Sequence, residues 1–434
     1  MEDTKRPSWS SYISFIIAAI GSAVGLGNIW RFPYVTGKYG GAVFLLTYLL
    51  IILFICAIPL CLELALGKFF KKDTITCYEK ISPKLKWFGQ LNLITAILIP
   101  AFYFVVGGWI INYIWIFLTN NIPSNFSVYF SELNSSPYQP IILTFLFLFI
   151  VAIFPYRGVN KGIEKANNFM MPTLAVALIL LAIVAISLPG AKEGLEFMFK
   201  PDFSKFSEEL ILTALGQALF TLSIGMGAMV TYGSYLNKDV NIKKSAYTLI
   251  FFDTLVSILA GVMIFPVVFT YGIEPTAGAS LAFISLPQIF LNMPFSIPCA
   301  ILFFLLLFFA AVTSGISLME TSTACFIDNF KISRKKAVVI LTLIIGILSI
   351  PSALSFGALE NFKIFGKTIF DSLDFVTSTI LLPFNTLIIC IICGWFASEI
   401  AKEAFGEGKF AGLLKFLLRY ILPLVFAYAL IVGL

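Results

Sequence analysis

Few side chains in this sequence could carry acid–base or ligand chemistry, and those that could lie at membrane depth. Asn28, Arg31, Glu63, Asp253 and Glu320 all stand within long apolar runs. An ionisable group so placed is costly to bury and by default marks a functional site with a nearby partner. Histidine is absent, which removes His-dependent nucleophilic triads, His metal sites and a His pH switch. The three acids show no spacing that would join them to a nucleophile or a second carboxylate. A membrane enzyme is therefore disfavoured, and Glu63 and Glu320 read as hydrogen-bonding across helices. A channel would need a repeated filter or a ring of charges, and this chain offers neither. What remains is binding by backbone and side-chain oxygens.

Two stretches are suited to that. Gly21-Ser-Ala-Val-Gly-Leu-Gly-Asn-Ile-Trp-Arg-Phe-Pro33 interrupts the first apolar run with three glycines, an Asn, an Arg and a Pro. Gln217-Ala-Leu-Phe-Thr-Leu-Ser-Ile-Gly-Met-Gly-Ala228 interrupts the sixth with Gly225 and Gly227. A helix broken at membrane depth is tolerated only where its freed groups face protein or a wet cavity. Freed carbonyls can hold a cation, and the N-terminus of the following half-helix attracts an anion. Interrupted segments in corresponding positions of two halves point to a transporter's binding site.

The elements that must position these breaks are membrane helices. Of 434 residues, 59% are hydrophobic and only 12% charged, a balance that a soluble fold could not bury. Apolar runs of the length needed to cross a bilayer predict an all-α polytopic membrane protein with eleven transmembrane helices. They fall near 12–37, 41–67, 88–118, 139–156, 167–188, 208–235, 243–270, 296–327, 336–355, 370–397 and 411–434. The shorter run Ser280–Leu291 reads as a helical loop dipping toward the protein. The chain is expected to be one transporter domain, 1–434, with inverted five-helix repeats over about 10–190 and 205–400 and an extra helix, 411–434. No cleavable signal peptide is expected. Pro172 should free a carbonyl one turn earlier, near Asn168.

Most of the 29 basic residues fall in loops of one parity, whereas 119–138 and 272–295 contain none. That side is read as cytoplasmic, placing the N-terminus inside and the C-terminus outside. The net charge of +6 thus reports orientation rather than a nucleic-acid partner. Cys390 and Cys393 lie in an apolar helix without a second pair, and the seven cysteines read as packing residues. Short loops and low charge suggest a prokaryotic inner (plasma) membrane.

With Gly21–Pro33 and Thr221–Gly227 in view, the chain resembles the neurotransmitter:sodium symporters, particularly their bacterial amino-acid members. Lys161-Gly-Ile-Glu164, Tyr232-Gly-Ser-Tyr235 and Phe309-Ala-Ala-Val-Thr-Ser314 extend the resemblance over nearly the whole chain. It implies sodium-driven import by alternating access, with two Na+ sites. One takes Ala23, Asn28, Thr221 and Asp253; the other takes carbonyls of Gly21, Val24 and Ala310 with the hydroxyls of Thr313 and Ser314. All are oxygen donors, as a small hard cation requires. Members that need chloride bind it near the positions of Tyr48, Gln217, Thr221 and Ser257. Asp253, where the family usually has Asn, brings its own negative charge there, so chloride independence is expected.

The same resemblance places the substrate between the breaks, against Ser22, Ala23, Gly25, Gly27, Ile99, Tyr103, Phe220, Thr221, Ser223, Met226, Ser314 and Leu318. Monoamine carriers have an Asp at the position of Gly25, so Gly25 favours a substrate with its own carboxylate, an α-amino acid. The apolar and small lining suits a neutral, hydrophobic or aromatic side chain. An outer gate is implied for Arg31 with Asp374, over a lid of Tyr103 and Phe220. An inner gate is implied for Arg6 with Asp328, supported by Ser234 and Tyr235, with Trp9 packing the N-terminal segment.

Overall fold

A computed structural model describes residues 6–272 and 281–433. Among them, nine continuous helices are long and apolar enough to cross a membrane. They are α2 (Ala42–Phe70), α3 (Pro83–Leu118), α4 (Gln139–Arg157), α5 (Val159–Ile186), α7 (Ile242–Thr270), α8 (Ser296–Phe330), α9 (Arg334–Ala353), α10 (Ile369–Phe396) and α11 (Lys409–Gly433). The other two spans are broken. α1 consists of Tyr12–Ala23 and Gly27–Lys38, bent by 51° at the break. α6 consists of Glu208–Thr221 and Ala228–Ser234. The nine continuous helices and two broken ones agree with the eleven spans the sequence predicts; four continuous helices follow the first broken one and five the second. Of the short run at Ser280–Leu291, the helix Leu281–Phe290 is seen; Ser280 lies outside the described residues.

Local chemistry sets the helix ends. The hydroxyl of Ser11 accepts from Ser14 N–H at the start of α1, and Ser207 accepts from Leu210 N–H at the start of α6. The same side-chain capping by Asn241, Ser333 and Thr368 opens α7, α9 and α10. Each satisfies an N–H that the helix cannot. α5 begins at Val159, earlier than the expected 167, because Gly158 with φ +90° lets the chain turn directly out of α4. Pro172 is carried within a continuous helix, Lys165–Ile186.

Polarity is arranged inside out. Large apolar side chains such as Phe54, Trp115, Phe149, Phe251, Leu343 and Leu424 are exposed on the outer faces, as lipid contact requires. Asn28, Glu63, Asp253, Thr313 and Glu320 are fully buried in the bundle interior. All seven cysteines are buried and unpaired. Two glycines let α2 and the second half of α6 touch backbone to backbone. A Cβ on Gly67 would fall 1.9 Å from Val230 O, and one on Gly233 would fall 2.4 Å from Leu64 O. Small residues at such crossings permit the close approach that substitutes for a hydrophobic driving force in lipid.

Candidate functional site

At the first break the helix ends at Ala23, and Val24 turns extended at φ −74°, ψ 108°. The freed groups find side-chain partners. Gly25 N–H donates to Asn28 Oδ1 at 3.0 Å, and Leu26 N–H donates to the Tyr103 hydroxyl oxygen at 3.3 Å. The carbonyl of Ser22 accepts from Ser223 Oγ at 2.9 Å and from Ser314 Oγ at 3.3 Å. At the second break Ser223, Gly225 and Gly227 all take positive φ. Gly225 N–H donates to Glu63 Oε1 at 2.7 Å, and Gly225 O accepts from Asn385 Nδ2 at 2.7 Å.

Between the breaks lies a tight cavity of about 20 Å³, closed down to little more than the room of one water molecule. Its walls include all twelve residues proposed for substrate contact, from Ser22 to Leu318, together with Leu26 and Ser317. Those two were absent from the sequence reading. Leu26 sits inside the break itself, and Ser317 is three residues from Ser314 on the same face of α8, a helical spacing that could have flagged it. No charged side chain lines the cavity. Gly25 is there because nothing larger fits: a Cβ would lie 2.4 Å from Ser314 Oγ and 3.1 Å from the Tyr103 hydroxyl oxygen.

Two groups of oxygens flank this cavity. In the first, Asp253 is fully buried and its Oδ2 accepts from the Tyr48 hydroxyl at 3.0 Å. Its Oδ1 accepts from Asn28 Nδ2 at 2.7 Å, and Thr221 Oγ1 lies 3.2 Å from the Tyr48 hydroxyl. Asn28 Nδ2 also donates to Ser257 Oγ at 2.9 Å, and Gln217 Nε2 donates to Gly27 O at 2.7 Å. The carboxylate thus stands among Tyr48, Thr221 and Ser257. Asn28 turns its own side-chain oxygen onto Gly25 N–H. In the second group, Ser314 Oγ lies 3.5 Å from Gly21 O and 3.4 Å from Val24 O. Beside it Thr313 Oγ1 donates back to Phe309 O at 2.9 Å and Ala310 O at 3.1 Å. Both groups consist of oxygens from carbonyls, hydroxyls, an amide and one carboxylate, the donor set of a hard monovalent cation.

The two ends of the path differ. At the N-terminal end Arg6 forms an ion pair with Asp328 and donates to Ser234 Oγ, from Nη2 at 2.8 Å and from Nε at 3.1 Å. Its guanidinium stacks 5.1 Å over the Tyr235 ring, and Tyr235 donates to Glu320 Oε1 at 2.6 Å. Glu320 is itself paired with Arg334, so both intramembrane glutamates do bond across helices. Trp9 is buried, and its Nε1 donates to Tyr232 O at 3.1 Å. Asp73 N–H donates to Asp328 Oδ2 at 3.0 Å, while Asn329 Nδ2 donates to Asp73 Oδ1 at 3.0 Å. Burial holds the Asp73 carboxyl above the usual carboxylate range, with nearby Asp328 adding to it.

At the other end the implied partners are not in direct contact. Arg31 lies 5.3 Å over the Phe220 ring, and its Nε and Nη1 are buried without hydrogen bonds. Asp374 instead accepts from Ser378 Oγ, one turn along α10, at 2.8 Å. Asp374 still lies close enough to act electrostatically on the Arg31 guanidinium, the separation that a contact bridged by water requires.

Comparison with known proteins agrees with this architecture. The sequence profile of the Sodium:neurotransmitter symporter family matches residues 6–132 and 135–407. The chain belongs to that family. It is 37% identical to the uncharacterized sodium-dependent transporter YhdH of Bacillus subtilis (strain 168), over 98% of this chain and 97% of that protein. A sodium-dependent serotonin transporter of Drosophila melanogaster is 28% identical over 78% of this chain and 62% of its own length. Among solved structures, MhsT in complex with L-phenylalanine superposes with a TM-score of 0.93 at 40% identity, covering 99% of this chain and 100% of that one. This symporter-family member is thus a sodium-dependent, multi-pass membrane transporter and not an enzyme.

Proposed function

We propose that this transporter imports neutral hydrophobic or aromatic α-amino acids with sodium, by alternating access and without chloride. The cavity between the two breaks carries the reading. Its wall joins backbone groups of the first break to an uncharged lining of hydroxyl-bearing and apolar side chains. A substrate carboxylate would take up the Leu26 N–H and the Tyr103 hydroxyl. The ammonium would meet carbonyls of Phe220 and Thr221 and the Ser223 hydroxyl at the second break. Ile99, Phe220, Met226 and Leu318 would then enclose the side chain, where a charge would be left unpaired. The phenylalanine in MhsT supports an aromatic α-amino acid as a candidate.

Two sodium ions would accompany it. One would sit among Ala23, Asn28, Thr221 and Asp253, and the other among Gly21, Val24, Ala310, Thr313 and Ser314. Asp253 would supply the negative charge that chloride supplies elsewhere, since its carboxylate already occupies the space between Tyr48, Thr221 and Ser257. The basic-residue pattern supports a cytoplasmic N-terminus in a plasma membrane, with the Arg6–Asp328 cluster closing the inner end.

The test is uptake of labelled leucine, phenylalanine, tryptophan and tyrosine into proteoliposomes. Sodium is replaced by potassium in one arm and chloride by gluconate in another. Accumulation that needs sodium and ignores chloride is expected. Uptake that collapses in gluconate would overturn the role of Asp253. Binding without accumulation would make the protein a sensor, and transport of amines alone would overturn the amino-acid reading.

A further inference from the structure

Several buried amide and carboxyl groups keep one atom without a hydrogen bond, and most of them are already engaged through their other atom. Glu63 and Asn385 hold the second break, and Gln217 holds Gly27 O. Asn167 on α5 differs in that its one bond stays within its own helix. It is fully buried, and its Nδ2 donates one turn back to Ile163 O at 2.9 Å. Its Oδ1 has no hydrogen-bond partner. That oxygen is aimed at α1: a Cβ built on Gly21 would fall 1.9 Å from Asn167 Oδ1 and 3.3 Å from Thr313 Cβ. Gly21 and Thr313 belong to the second oxygen group.

A buried amide oxygen left unpaired costs roughly 1–3 kcal/mol. An apolar side chain at position 167 would avoid that cost and still pack against a glycine. The five oxygens assigned to the second sodium ion come from α1 and α8 only. Both helices pack against α5, from which Asn167 turns its unpaired oxygen toward Gly21. Its chemistry, a neutral amide oxygen, matches the carbonyls and hydroxyls around it.

We propose that Asn167 Oδ1 is a further oxygen for the sodium ion held between Gly21 and Thr313, presented from α5. This rests on the assignment of that ion to Gly21, Val24, Ala310, Thr313 and Ser314. Occupancy then ties three helices together rather than two, and loss of the ion leaves α5 with an unpaired buried group.

The full-length purified protein is titrated with sodium against a choline background, and thermal unfolding is followed for Asn167→Ala, Asn167→Asp and the double variant Thr313→Ala/Ser314→Ala. We expect Asn167→Ala to raise the half-saturating sodium concentration about three- to tenfold, the loss of one modest ligand. Asn167→Asp keeps an oxygen and should stay within about twofold of the parent or bind sodium more tightly. The double variant should lose most of the sodium-induced shift. If Asn167→Ala lowers the unfolding temperature equally with and without sodium while half-saturation is unchanged, Asn167 is only a wedge against Gly21 and the proposal fails. If Asn167→Ala does not fold, the comparison rests on Asn167→Asp, and a sodium titration weakened tenfold there also overturns it. An unchanged titration in the double variant would remove the sodium site itself, and the proposal with it.

Discussion

The two broken helices do the same thing for different reasons. At the first break the backbone turns extended at Val24, and its freed groups meet hydroxyls of Ser223, Ser314 and Tyr103, and the Asn28 amide. At the second break the chain is held by scaffold side chains from outside, Glu63 of α2 on Gly225 N–H and Asn385 of α10 on Gly225 O. At the first break the bonds run from 2.9 to 3.5 Å, longer than the 2.7 Å bonds of Gly225. The proposed ligand site would draw its exchangeable partners from the first break, with the second keeping its shape.

The largest effect should separate the breaks directly. Gly25→Ala forces a methyl against Ser314 Oγ at 2.4 Å, so amino-acid affinity should fall at least about a hundredfold, roughly 2.7 kcal/mol, with little change in unfolding temperature. Gly225→Ala places a side chain at φ +84° and 2.6 Å from Leu382 O, so it should lower the unfolding temperature first. Equal losses of stability in both variants would break the distinction. Next, Glu63→Ala leaves Gly225 N–H buried and unpaired, at a cost of about 1–3 kcal/mol. Glu63→Gln keeps an acceptor and should lose less than half as much. Unfolding in denaturant would show whether the second break depends on this bond.

A smaller effect concerns the two ends of the path. Arg6→Ala removes the ion pair to Asp328 and the bonds to Ser234, so thiol reagents should label Cys325 several-fold faster. Arg31→Ala gives up the contact with Phe220 and the interactions with Asp374 and Tyr34 at the other end and should leave that labelling rate unchanged. Individual pairs at wet ends are worth about 0–1 kcal/mol, so stability itself should move little in either variant.

Much of the site was legible because a glycine-rich break has no cheaper use in a membrane helix. Gly25, Gly225 and Gly227 identified both breaks, and the residues implied on α3, α6 and α8 do meet around one cavity. Ser317 was missed because a serine on an apolar helix usually bonds back to its own backbone, as its hydroxyl also does here. Asn167 was missed because its neighbours in sequence carry no pattern; only the approach of α5 to Gly21 gives its oxygen a direction. The Arg31–Asp374 pairing came from the family resemblance, and sequence could not show that Ser378, one turn from Asp374, also bonds to that carboxylate.

By itself the sequence determined the spans, their alternating entry, the positions of both breaks and the absence of histidine chemistry. These follow from local properties: hydropathy over a bilayer's thickness, helix-breaking residue types and the distribution of charge. Tertiary structure alone decided which partner each polar group takes. Asp253 faces Tyr48 and Asn28, Glu63 holds Gly225, and Asn167 faces Gly21 without a donor. Hydrogen bonds act over about 3 Å, and that distance between helices is set by packing and not by position along the chain.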